Sequence, residues 1–173
     1  MATATRPDGT VQLPGLLRSF LERASVGFGS TCSRERVPQI HWISGWALDP
    51  DGSTLHCFIP EIFTAGLADS LKVNGRFAAT FERIGPHETY QFKGTLDSLR
   101  AASAADCAAT AVCRERMVRD VRTLGPRMAE HALHLPAYVL DPAVAVSLRV
   151  REVFLQTPGP GAGKRLVPPE ERP

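Results

Sequence analysis

Apolar residues recur along this chain with two periods, and the changes between them divide it into elements. Leu16, Leu17, Phe20 and Leu21 share helical spacing and predict a helix over 13–24, with Pro14 near its start, where a missing amide hydrogen costs little. Residues 25–33 (SVGFGSTCS) are small and β-permissive. A break follows at 34–38, and residues 39–48 (QIHWISGWAL) then carry Ile40, Trp42, Trp46 and Leu48 on one alternating face. Two strands of a hairpin are expected. Asp49-Pro50-Asp51-Gly52 is strong turn chemistry, after which 53–59 returns as a third strand.

Pro60 marks a boundary, and Ile62, Leu67, Leu71 and Val73 predict a short crossover helix over 61–74, stopped by Gly75. Residues 76–84 and 88–99 read as strands joined at Gly85-Pro86. In the second, Tyr90, Phe92 and Leu96 face one way and Gln91, Lys93 and Thr95 the other. The Ala-rich stretch 103–124 is the clearest helix, with Ser103 as N-cap, a stripe through Cys107, Ala111, Val118 and Val121, and Gly125-Pro126 as its stop. A shorter helical piece extends to His134. Residues 144–157 form a last long strand whose apolar phase shifts between Val150 and Val153, which predicts a bulge near Arg151. The remaining tail, PGPGAGKRLVPPEERP, is too rich in Pro and Gly to continue either period. No internal repeat is present. The expected organisation is a flexible N-terminus (1–12), one domain (13–157) and a C-terminal arm (158–173).

Composition narrows the possibilities. A chain of 173 residues, 43% hydrophobic and 22% charged, fits one globular domain with one core. Its net charge of +2 is scattered, so no footprint for nucleic acid or an anionic membrane stands out, and a small molecule is the expected partner. Neither a signal peptide nor a spanning helix is legible, so a soluble, cytoplasmic protein is expected. Cys32, Cys57, Cys107 and Cys113 form no CxxC pair and are expected as buried free thiols.

Several motifs reduce to packing. GPGAGK resembles a phosphate loop, but Pro158 stands where its first Gly belongs, Arg165 occupies the Ser/Thr position, and Pro168-Pro169 blocks a following helix. Gly27-Phe28-Gly29 lacks the third Gly of a dinucleotide fingerprint and leads into a strand. His131 and His134 have no third ligand at helical spacing, while His41, His56 and His87 are isolated, so a metal or haem role rests on residue type alone. No Ser-His-Asp or Cys-His arrangement can be read from spacing. Trp42, Trp46, Phe58 and Phe63 could line a groove for a flat ring, although aromatics at strand spacing are more often core.

The order helix, strand hairpin, third strand, crossover helix, two strands, long helix and final strand resembles the flavin-binding split barrels related to pyridoxamine 5'-phosphate oxidase. The resemblance covers about 16–157 and includes Tyr90-Gln91-Phe92-Lys93-Gly94 and the closing VREVFLQTPGPGAG. It implies a mainly β, α+β fold: a six-stranded antiparallel split barrel with a short crossover helix and a longer helix packed outside. It also implies a homodimer holding flavin mononucleotide (FMN) in a groove between subunits, and a flavin-dependent oxidoreductase acting on a small molecule. The positions it places at the cofactor are His41, Ile43, Ser44, Ile59, Thr64, Gln91 and Lys93, with strand backbone on the ring. His41 and Ala65 stand where relatives carry phosphate-binding cations. Thr64 and the start of the 61–74 helix are the alternative phosphate donors. Two other readings stay open, a non-enzymatic homodimeric binding module and a haem-binding relative.

Overall fold

The structure, a computed structural model, describes residues 8–134 and 140–167; of the expected N-terminus (1–12) and C-terminal arm (158–173), residues 1–7 and 168–173 lie outside them. Eight strands form one antiparallel sheet: β1 (Val26–Cys32), β2 (Pro38–Ile43), β3 (Gly45–Leu48), β4 (Thr54–Ile59), β5 (Arg76–Arg83), β6 (Glu88–Ala101), β7 (Val144–Leu155) and β8 (Arg165–Val167). Seven follow one path, β2-β1-β5-β6-β7-β4-β3, and β8 pairs with β7. Because β2 and β3 are consecutive in the chain yet stand at the two ends of that path, the sheet must curl until its ends meet. They meet at Ser44, whose N–H donates to Phe58 O at 2.9 Å.

This closure is why the sheet has more strands than the six expected. Residues 39–48 are not one strand: the segment leaves β1 at Ser44 and joins β4. The phase breaks with it, so Ile40 is 75% exposed on the outside while Trp46 is buried inside. The described part of the C-terminal arm turns back to add β8, with Gly163 N–H donating to Leu155 O at 2.7 Å. In β7, Arg151 is the extra residue between Gly94↔Val150 and Lys93↔Glu152, which is the expected bulge. A second register shift, around Asp97 in β6, was not foreseen.

The core fills the barrel with Phe77, Phe81, Phe92, Leu148, Val150 and Val153. Helix α1 (Gly15–Arg23) closes one side with Leu17, Phe20 and Leu21; Leu16, expected in its buried stripe, is 66% exposed. Trp46 Nε1 donates to Leu21 O at 2.9 Å and ties α1 to β3. Val11, before α1, is buried and donates its N–H to Val150 O at 2.9 Å.

The crossover is not one helix over 61–74. A 3-10 turn at Glu61–Phe63 is separated from α2 (Leu67–Asn74) by Gly66, whose φ of +70° breaks the helical path. Helix α3 (Ala104–Thr123), followed by α4 (Pro126–Leu133), packs outside β3. Its buried face runs through Asp106, Thr110, Cys113, Met117 and Val121 rather than the expected stripe. Gly45 accounts for the close approach, since a Cβ there would lie 2.6 Å from Thr110 Cα. All four cysteines are free, but only Cys57 and Cys113 are buried; Cys32 and Cys107 are half-buried because they lie toward the outer face.

Candidate functional site

Strand pairing sorts the sequence-derived positions onto two sides of the sheet. Inside lie His41, Ile43 and Ile59, all fully buried. His41 Nδ1 is 2.8 Å from Phe63 O, which can only accept, so Nδ1 carries the proton. Nε2 lies 2.9 Å from Thr31 Oγ1, whose hydroxyl proton is shared with Gln39 Oε1. Burial pushes the imidazole pKa below its ordinary value, and the Phe63 carbonyl offsets this only in part. His41 is thus a neutral, internally satisfied group. Gln39 extends the same chain, 3.1 Å from the Thr31 hydroxyl and accepting from Ser70 Oγ at 2.7 Å. Ser44 donates its hydroxyl to Phe58 O at 3.2 Å, and Thr64 returns its own to Glu61 O at 2.8 Å.

Gln91 and Lys93 stand outside. The register Trp42↔Phe28, Phe28↔Thr80, Thr80↔Gln91 and Gln91↔Phe154 puts five side chains in one row across β2, β1, β5, β6 and β7. Phe28 meets Trp42 edge to face at 4.8 Å, and the Phe63 ring lies 6.5 Å beyond. Gln91 Nε2 donates to Thr80 Oγ1 at 3.2 Å, and the Lys93 ammonium lies 4.4 Å from the Phe154 ring centroid. The next row carries Ile40, Ser30, Ala78 and Lys93. A further row pairs exposed Arg76 with Thr95, whose hydroxyl accepts from Arg151 Nε at 3.3 Å.

The outer face therefore has an aromatic end centred on an amide and a cationic end. Four residues of β5, about 13 Å, separate Thr80 from Arg76. Such a face can take a flat heteroaromatic ring at one end and an anionic group at the other. Trp42 and Phe63 belong to this rim, whereas Trp46 and Phe58 are buried. Sequence reasoning missed Phe28, Thr80, Phe154, Arg76 and Arg151. Strand alternation places Phe28 outside, but only the register shows that it continues the Gln91 row.

The concave parts of the surface lie elsewhere. One cavity of about 280 Å³ sits among α1, β3 and α3 beside Arg18 and Arg116; another, of about 470 Å³, sits between the β1–β2 turn and α2. Among the described residues no cluster of ligating side chains could hold a metal ion, and no helix is long and apolar enough to cross a membrane.

No protein-family model and no curated protein sequence matches the chain. Solved structures do. HupZ of group A Streptococcus superposes with a TM-score of 0.51 at 14% identity, covering 87% of this chain and all of that one. A candidate pyridoxamine 5'-phosphate oxidase from Lactobacillus delbrueckii gives 0.50 at 12% identity, over 89% of this chain and 99% of that one. A protein described as an F420 reductase gives 0.50 at 18% identity, over 82% and 98%. With the strand order and closure at Ser44, these likenesses identify the chain as a split barrel of the pyridoxamine 5'-phosphate oxidase-like fold.

Proposed function

We propose that the outer face binds FMN and that the protein is a cytoplasmic homodimeric flavin-dependent oxidoreductase acting on a small molecule. The observation that carries this reading is the row Trp42, Phe28, Thr80, Gln91 and Phe154, which offers aromatic surface around a half-exposed amide. The descriptions of two similar folds as an oxidase and a reductase support a redox role.

The phosphate positions implied by the resemblance fit poorly. His41 is neutral with both ring nitrogens engaged, Thr64 is turned onto its own loop, and Ala65 offers only backbone. The cations that fit the anionic end are Lys93, Arg76 and Arg151. When bound, FMN supplies a ring that accepts and returns a hydride. Gln91 would orient that ring through its carbonyl and remaining N–H, and Lys93 would place positive charge beside it. On this face Ile40 and Phe28 are 75% and 39% exposed. A second copy packed over it would exclude water and cover this apolar surface.

The test is FMN titration of the purified protein, followed by reduction with a nicotinamide donor. Flavin absorption at one FMN per chain, bleached by the donor, is expected. Binding without reduction would leave the non-enzymatic binding module; a Soret band with added haem and no flavin uptake would favour haem.

A further inference from the structure

At the other end of β6 and β7, the structure assembles a hydroxyl relay that no sequence spacing announces. His56 on β4, Ser147 on β7 and Ser98 on β6 stand side by side in the register. Asp49, just after β3, completes the line. His56 Nε2 is 2.9 Å from Asp49 Oδ1, His56 Nδ1 is 2.9 Å from Ser147 Oγ, and Ser98 Oγ is 2.9 Å from Ser147 Oγ.

With His56 neutral, the chemistry of the partners sets the direction of each bond. A carboxylate only accepts, so Nε2 carries the imidazole proton and Nδ1 is a base. Ser147 must then donate to Nδ1, and its oxygen accepts from Ser98. The β6 bulge builds this arrangement. An unbroken ladder from Leu96↔Leu148 would set Asp97 opposite Ser147; the extra residue brings Ser98 there instead. Ser147 is buried, whereas Ser98, the hydroxyl end of the relay, is partly exposed and can be reached from solvent.

Cations flank the row on both sides. Arg149 is two residues along β7 from Ser147, paired with Asp97 and Asp8; Arg100 is two residues along β6 from Ser98, paired with Asp106.

We infer that Ser98 is an acyl-accepting nucleophile, activated through Ser147 by His56, for small carboxylic esters with good leaving groups. Ser98 Oγ attacks the ester carbonyl carbon, its proton passing to Ser147 as the Ser147 proton passes to His56 Nδ1. Collapse breaks the bond to the leaving oxygen, which departs as the alcohol or phenol with a proton from the Ser147 hydroxyl, itself reprotonated from His56 Nδ1. Water then repeats the sequence, releasing the acid and restoring the Ser98 hydroxyl. No electrons are transferred. Ser147, His56 and Asp49 act through Ser98 and are positioning and relay residues.

Incubation of the full chain with p-nitrophenyl acetate, followed by peptide mass spectrometry, tests this. A burst of nitrophenolate and an acetyl group on Ser98 are expected, with the acylation rate rising as an imidazole deprotonates. Ser98→Ala should abolish both signals. Ser147→Ala and Asp49→Asn should slow acylation by about a hundredfold, Ser147→Ala also flattening the pH profile and Ser147→Thr restoring it. Folding of each variant is checked by far-UV circular dichroism, and Asp49→Asn, at a half-exposed turn, reads the relay if Ser147→Ala unfolds. Acetylation confined to lysines or Cys32, a burst that survives Ser98→Ala, or a Ser98 rate indifferent to both relay variants would overturn the inference.

Discussion

Trp42 and His41 are neighbours in the chain and face opposite sides of β2: Trp42 lies on the outer aromatic row, while His41 is buried between Thr31 and Phe63 O. Substitutions at the two should therefore separate binding from stability. Trp42→Ala should weaken FMN binding by about threefold to tenfold, the value of one aromatic stack. Gln91→Ala and Lys93→Ala should weaken it roughly tenfold to a hundredfold. His41→Asn should leave the affinity of the folded protein nearly unchanged and lower its unfolding free energy. Flavin fluorescence quenching and urea titration measure the two quantities.

His41 also sets a pH dependence. Its folded pKa is depressed, so between the unfolded value of about 6.5 and the lower folded value the unfolded chain binds more protons. Stability must rise with pH across that window and level off above it. Urea midpoints recorded from about pH 5 to pH 7.5 should show this rise. His41→Gln should flatten it; an unchanged slope would assign the dependence to another group.

The start of α3 gives the opposite case. Ser103 and Asp106 form a reciprocal capping box, with Ser103 N–H donating to Asp106 Oδ2 at 2.7 Å. The Arg100 guanidinium, ahead of the Ser103 contacts, holds the Asp106 carboxyl far below the usual carboxylate range. Its contribution is present above the unfolded pKa of about 3.9 and is lost as pH falls toward the folded value. Ser103→Ala should cost about 1 kcal/mol and Asp106→Ala about 1–2 kcal/mol, the larger loss because the exposed Arg100 pair goes with the cap. The difference between wild type and Asp106→Ala should shrink in acid, as urea unfolding at pH 7 and near pH 3 would show.

These contacts show where the sequence was legible. Ser103, the Asp49–Gly52 turn and the phase shift near Arg151 are local chemistry, and each appears where its residues predicted it. The division at Ser44 is not local. Trp46 keeps the spacing of Ile40 and Trp42, and only the geometry of closure turns it inward. The α3 face is also set from outside, because close approach at Gly45 and the Arg100 partner select Thr110 and Asp106 over the more apolar Ala111 and Cys107. For the site, Gln91 and Lys93 share a face by strand alternation. The rest of their row depends on pairing across five strands, and His41 looked available because burial is invisible in one sequence.

Gly94 should be among the least replaceable residues. A Cβ there would collide with the backbone oxygen of Arg149 at the β6–β7 crossing beside the bulge, where neither strand can retreat without breaking pairs. Gly94→Ala should cost about 2 kcal/mol or more. Gly85, between β5 and β6, has open space around its missing Cβ and no positive φ, so Gly85→Ala should be neutral or slightly stabilising. Thermal unfolding of the pair distinguishes a packing constraint at Gly94 from a general intolerance of alanine in this hairpin.

Ile40 decides whether the outer face is covered. On an isolated chain a side chain 75% exposed contributes little, so Ile40→Asp should shift monomer stability by no more than about 0.5 kcal/mol. In a homodimer packed through this face, the same change buries a carboxylate opposite Phe28, Trp42 or Ile40 of the second copy and should drive dissociation. Sedimentation velocity should find the wild type near twice the 18.8 kDa chain mass and Ile40→Asp near that mass, with matching melting curves at high dilution. Since the ring site proposed here is closed by the second copy, Ile40→Asp should also lose FMN, although Ile40 lies in the row beside the one that faces the ring. A wild type that stays monomeric with FMN bound would refute the dimer while preserving the binding face.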